Sequence, residues 1–306
     1  MPPLLVALLL TLPAPAAPEV RLDLHLDRGP APAVAHVEGT TVVDGHRRIP
    51  VEASDVQLVG PSGTWYVVVA DGTRVQRVAS HGRVTDLGAT DGDPVRLSVD
   101  GSQVAATVAG SGRTTLTLRS AVTGAEVGER SLRGAVTALD VDAGRVVASG
   151  PRRTLVWNAV SGHTRVVSRR PAYAASFGHD LVALEGRRLA EGSCTRLVRL
   201  STGAEHWTSC TDSLLSFGPD ASRWVTTAAY QDGPTSRVTL RDGTGRELAR
   251  YRLAGGLQLD ELRWEDVDTV LLRASGPQAS VWFRCVGADC ELAGPVSARL
   301  GASSAH

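Results

Sequence analysis

Three arginine doublets, Arg152-Arg153, Arg169-Arg170 and Arg187-Arg188, are the residues of this chain most suited to chemistry, and that chemistry is anion recognition. A guanidinium group presents its N–H donors in a fixed fork that matches carboxylate or phosphate oxygens two at a time. Asp180, Glu185, Glu191 and Asp212 lie nearby in sequence. Set against them, the doublets would form only a solvated, charge-balanced rim, and exposed pairs of that kind contribute little.

Other chemistries find few residues to carry them. Every one of the 32 basic residues is Arg. The absence of Lys excludes a phosphate-binding lysine loop, a Schiff-base lysine, a kinase strand lysine and a Ser-x-x-Lys site. There is no Gly-x-Ser-x-Gly elbow and no His-Glu-x-x-His helix. His46, His81, His163 and His206 sit at or near expected hairpin turns, and His179 lies in Gly178-His179-Asp180, another turn. The acidic turns Asp91-Gly92-Asp93, Asp140-Val141-Asp142 and Glu265-Asp266-Val267-Asp268 lack the alternating oxygen-ligand loop of a calcium site. Ser62-Gly63-Thr64-Trp65 has the Thr-Trp of a sialidase-type box without its Asp or correctly spaced Gly. No catalytic residue, metal or cofactor is therefore assigned. The formal net charge of zero implies no bulk attraction to nucleic acid.

Four cysteines permit three pairings. Cys285 and Cys290 flank the short turn Val286-Gly287-Ala288-Asp289, and Cys194 and Cys210 flank Ser201-Thr202-Gly203, so both pairs suit bridges across β-hairpins. Zinc would need a second close pair, which is missing. Two local disulfides are expected, and these require an oxidising compartment. Residues 1–17, with an apolar run over 4–12 and Ala14-x-Ala16, read as a signal peptide that lacks the usual basic start. The run is too short to span a bilayer. The chain is accordingly expected to be secreted or otherwise extracytoplasmic.

The elements that would position the arginines emerge from an internal repeat. Turn glycines Gly82, Gly124, Gly162, Gly203, Gly245 and Gly287 step by 42, 38, 41, 42 and 42 residues, with Gly45 preceding them by 37. Each is flanked by alternating runs such as Leu116-Thr117-Leu118 and Val238-Thr239-Leu240. Between turns lies a second strand pair, as in Val95 to Thr107 and Ala135 to Val147. Short strands at about ten-residue spacing, four per unit of about forty residues, predict an all-β propeller of four-stranded antiparallel blades. One such sheet buries neither face alone, but a closed ring of them does. Seven blades are expected, six being the alternative, because the turns mark seven hairpins but only six full units. Strands from 33–50 and 295–300 would join the chain ends and close the ring. The six Trp fall mostly within expected strands and read as inter-blade core. The arginine doublets then occupy a second-to-third strand loop, an inter-blade loop and the next second-to-third strand loop, all on one face.

At Leu155-Val156-Trp157-Asn158, followed by Ser161-Gly162, and at the Asp100-Gly101 turn, the sequence resembles WD-repeat-like propellers, particularly secreted or membrane-anchored actinobacterial ones. The resemblance covers residues 31–300, although no unit carries the full Gly-His and Trp-Asp pair. It implies the propeller scaffold and transfers no catalytic residue. The expected organisation is a signal peptide at 1–17, a flexible Pro-rich lead at 18–30, the propeller at 31–300 and a disordered tail at 301–306. The expected function is a non-enzymatic, monomeric binding module at the cell envelope, with a protein, peptide or anionic envelope polymer as partner. The alternative is an extracytoplasmic hydrolase or lyase with its site at the propeller funnel.

Overall fold

The computed structural model describes residues 16–298 other than 191, 221, 230–232 and 278. The expected cleavage region before residue 16 and the tail at 301–306 lie outside the described residues. Seven sheets succeed one another along the chain. Blade 1 holds His36–Glu38, Thr41–Asp44 and Arg47–Pro50. Blades 2 to 5 are four-stranded meanders covering 56–89, 96–133, 137–168 and 172–209. Blade 6 covers 212–253 and blade 7 covers 258–293. The seven-bladed reading holds, and no α-helix occurs among the described residues.

The repeating glycines explain the repeating hairpins. From Gly45 to Gly287, all seven sit between the last two strands of a blade with φ between 57° and 92°. A side chain is strained there, so glycine recurs wherever the chain reverses. A second regularity lies in the innermost strands. Register slips at Leu58/Gly60, Ala138/Asp140, Ala172/Ala174, Leu214/Ser216 and Leu259/Glu261, the same place in five blades. Such bulges bend and twist a strand, which suits the strand nearest the ring axis.

Alternation along each strand feeds two cores at once. In Trp65–Ala70, Tyr66 and Val68 pack into the cluster shared with blade 1, while Val67 and Val69 pack into the cluster shared with blade 3. Each fully buried aliphatic chain stabilises the fold by about 1.5–3 kcal/mol, so blade-to-blade apolar contact dominates cohesion. Trp157 and Trp224 are fully enclosed in such layers, and all six Trp lie in strands.

The chain ends meet in blade 7, whose sheet contains Arg28–Gly29, Asp289–Ala293 and Ser297–Ala298. Ser297–Ala298 pairs with Ala279 and Ser280 and so stays in blade 7 instead of entering the 36–50 sheet. Within 18–30, expected to be a flexible lead, the structure differs. Glu19–Leu22 pairs in parallel with Arg250 to Leu253 on blade 6, and Arg28–Gly29 pairs in parallel with Leu292 and Ala293 on blade 7. The physical reason is the open outer edge of each blade together with the apolar Leu22, which is fully buried in the blade 6–7 core.

Arg284 clasps this segment. It forms a two-pronged ion pair with Glu265, reaches Glu291 at 2.7 Å, and donates to the Pro30 and Ala31 carbonyls at 3.0 Å each. Both disulfides are present. Cys285 and Cys290 are directly opposite across the hairpin of blade 7, and Cys194–Cys210 joins the third strand of blade 5 to the residue just after its last strand. Oxidised pairs of this kind suggest an oxidising, extracytoplasmic environment. No helix is long and apolar enough to cross a membrane among the described residues.

Candidate functional site

Consecutive strands run in opposite directions, so the second-to-third strand turns and the inter-blade connections emerge on the same face. The structure places Arg152 and Arg153 at the turn opening the third strand of blade 4 and Arg169 and Arg170 in the connection from blade 4 to blade 5. Arg187 and Arg188 lie at the end of the long second strand of blade 5, Leu181–Leu189. All six are exposed. None forms an ion pair or a side-chain hydrogen bond with a described residue.

Their supports are buried. Thr154, fully enclosed, donates its hydroxyl to the Arg170 carbonyl at 2.8 Å. The Arg170 N–H donates to the Ser168 hydroxyl at 3.0 Å, and the Ala172 N–H to the Ser149 hydroxyl at 2.7 Å. The loop therefore reaches solvent with its backbone already fixed, and ordering it on binding costs little. In blade 5 the register with the third strand shifts between Glu185 and Arg188. A Cβ at Gly186 would fall 2.7 Å from the Cys194 carbonyl oxygen. Glycine thus lets the second strand bend over the disulfide-bonded cysteine and turns the following arginines outward.

The nearby carboxylates are mostly committed elsewhere. Asp180 accepts the N–H of Ser201 at 2.7 Å and also its hydroxyl. Asp212 pairs with the buried Arg241 at 2.9 Å. Burial raises the Asp212 pKa, but hydrogen bonds from Thr211 and Ser209 and the adjacent Arg241 outweigh it and hold the carboxyl below its usual range. Glu185 makes no ion pair with a described residue, and Glu191 lies outside the described residues. On this face the connections at 110–113, 133–137, 150–153 and 168–172 contain no Asp or Glu at all.

Arg133, which sequence reasoning missed, belongs to the same region. With Arg152 and Arg153 it rims a groove of about 570 Å³ whose other lining residues are Gly134, Val136, Gly150 and Pro151. Beneath it the Thr114 hydroxyl donates to the Gly134 carbonyl at 2.8 Å and accepts the Val136 N–H at 3.1 Å. A threonine recurs at this point of blades 2 to 6, at 73, 114, 154, 195 and 235. Its 40- to 41-residue step was a readable signal for the loop supports.

The remaining candidates serve the fold. His179 and His206 hydrogen-bond the carbonyls of Gly218 and Gly243, and their rings meet Phe217 at a tilt and Trp224 edge to face. His81 packs on the edge of Trp65. Asp91 caps the Ala109 N–H, Asp93 accepts Thr107 and Thr137, and Asp266 accepts the N–H groups of Asp268 and Thr269. Asp140 accepts the Phe177 N–H, and burial pushes its carboxyl upward. Among the described residues no three His, Cys, Asp or Glu side chains gather as a metal site.

No protein-family model matches the chain, and no curated protein matches it in sequence. Solved structures do resemble it. A chain of the mitotic checkpoint complex aligns over 97% of this chain and 89% of its own, at 13% identity and TM-score 0.56. An acylaminoacyl peptidase aligns over 83% of this chain and 47% of its own, at 11% identity and TM-score 0.59. Oligogalacturonate lyase from Vibrio parahaemolyticus covers 69% and 71%, at 11% identity and TM-score 0.51. At these identities the likeness is one of fold. Enzymes stand among these neighbours, so the fold itself leaves function undetermined.

Proposed function

We propose that this propeller is a secreted, non-enzymatic binding module of the cell envelope, and that it engages an anionic partner through Arg152, Arg153, Arg169, Arg170, Arg187 and Arg188. The observation that carries this reading is the grouping of these arginines as three adjacent pairs on neighbouring blades. Other arginines are neutralised by carboxylates, as in Arg48–Glu38, Arg196–Glu205, Arg223–Asp268 and Arg284–Glu265. These six stand on one face with no described counter-ion, and the connection carrying Arg169 and Arg170 is held from beneath by Thr154 and Ser149. Such donors keep their full capacity for carboxylate or phosphate oxygens.

A pull-down from the envelope fraction, comparing the wild-type protein with a variant carrying Glu at all six positions, tests it. The expected result is one dominant partner recovered by the wild type and lost from the variant. Equal recovery in both lanes moves the binding surface off this face. No partner in either lane turns the search to hydrolase and lyase substrates.

A further inference from the structure

We propose that the groove between blades 3 and 4 is an anchoring pocket for one aliphatic side chain of an extended acidic peptide, whose carboxylates lie on Arg133, Arg152 and Arg153. The proposal rests on the arginine face being a binding surface and specifies what that surface grips. Its evidence is the combination of rim and floor. Three guanidiniums without described ion partners line the groove together with the buried Val136, the half-buried Gly134 and Gly150, and the exposed Pro151.

The floor has nothing to offer a polar ligand from its side chains. The Thr114 hydroxyl beneath is already spent on Gly134 and Val136. Gly134 has a φ of 81°, where a side chain is strained. A Cβ at Gly150 would meet the Ala135 carbonyl oxygen at 3.2 Å and the Val136 Cγ2 at 3.3 Å, so both glycines leave the floor bare. A phosphate or sugar polymer would satisfy the arginines and leave this apolar floor wet. A peptide that alternates carboxylates with an aliphatic residue satisfies both, and Arg169 and Arg170 on the next connection extend the charged track in the direction of blade 5. Burial of an aliphatic side chain in such a site is worth about tenfold to a hundredfold in affinity.

The test uses fluorescence anisotropy on the full chain with three probes. These are a labelled acidic heptapeptide with a central leucine, the same peptide with a central serine, and end-labelled inorganic polyphosphate. The leucine peptide is expected to bind the wild type at least about tenfold more tightly than the serine peptide. That margin is expected to vanish in Pro151→Glu, an exposed turn position, and both peptides are expected to be lost from the six-Glu variant. Equal affinity of the two peptides for the wild type overturns the pocket while leaving the arginine face intact. Binding of polyphosphate with neither peptide bound overturns the pocket in the same way. If none of the three probes binds, the arginine face fails and the pocket with it. Because the leucine–serine contrast is read on the wild type, it does not depend on any variant folding.

Discussion

The guanidinium of Arg263 donates to the carbonyl oxygen of Leu58 at 3.2 Å, joining the innermost strand of blade 7 to that of blade 2. Blade 1 lies between them. Its Gly45 turn is the one that elsewhere connects third and fourth strands, so His36–Glu38 takes the second-strand position, and no described strand lies inside it. Arg263, steadied by Glu261 at 2.5 Å, bridges that place.

Replacing Arg263 with Met should therefore loosen the seam around blade 1. The loss expected is about 1.5–3 kcal/mol, the worth of a charged hydrogen bond. Thermal or urea unfolding of Arg263→Met measures it, and an unchanged midpoint would remove the bridge from the account of ring closure.

Arg284 and Glu265 should give closure a pH dependence. The hydrogen-bonded Arg284 guanidinium holds the Glu265 carboxyl below its ordinary 4.5. A depressed folded-state pKa contributes stability above the unfolded value and loses it as pH falls through the folded one. The unfolding midpoint of the wild type should fall with acidification below about pH 4.5, and Arg284→Met should show a shallower fall. At neutral pH the same variant leaves Glu265 sheltered without its partner, at a cost of about 3 kcal/mol or more. A parallel pH profile in the two proteins would show that this pair does not set the dependence.

Leu22 tests the segment that folds onto blade 6. Its side chain is fully buried among Val238, Tyr251, Leu253 and Leu292. Leu22→Ala should cost about 2–5 kcal/mol. A substitution at a truly flexible lead would cost nothing, so denaturant titration separates the two descriptions directly.

The disulfides should matter less than the closure. Cys194→Ala with Cys210→Ala is expected to remain folded at room temperature with a loss of about 3 kcal/mol. Cys285→Ala with Cys290→Ala closes a shorter loop and should lose about 2 kcal/mol. The first variant should keep partner binding, because the Cys194 carbonyl and Cβ that Gly186 packs against are retained by alanine. Circular dichroism and the pull-down distinguish the effects, and room-temperature unfolding of the first variant would contradict the ranking of closure above the disulfides.

What could be read in advance depended on whether a side chain or a backbone carried the information. The seven turn glycines were legible because positive φ selects glycine, and the cysteine pairs because hairpin geometry limits their partners. The strands Glu19–Leu22 and Arg28–Gly29 were not, because parallel pairing over four and two residues is made by N–H and C=O groups that every residue shares. The arginine doublets stood out as charge, whereas Arg133 is single and joins them only through the blade 3–4 seam. Thr114 and Thr154 were overlooked for another reason. A lone threonine at a turn is common, and its meaning lay in recurrence.

The pairing of Val20 with Tyr251 also dictates an order of assembly. During synthesis the first strand emerges before any of its partners exist, and Leu22 stays without its pocket until blades 6 and 7 have been made. A segment made early thus waits for the last two blades before it is seated, which places a long-range step late in folding. Until then the outer edges of the last two blades stand open.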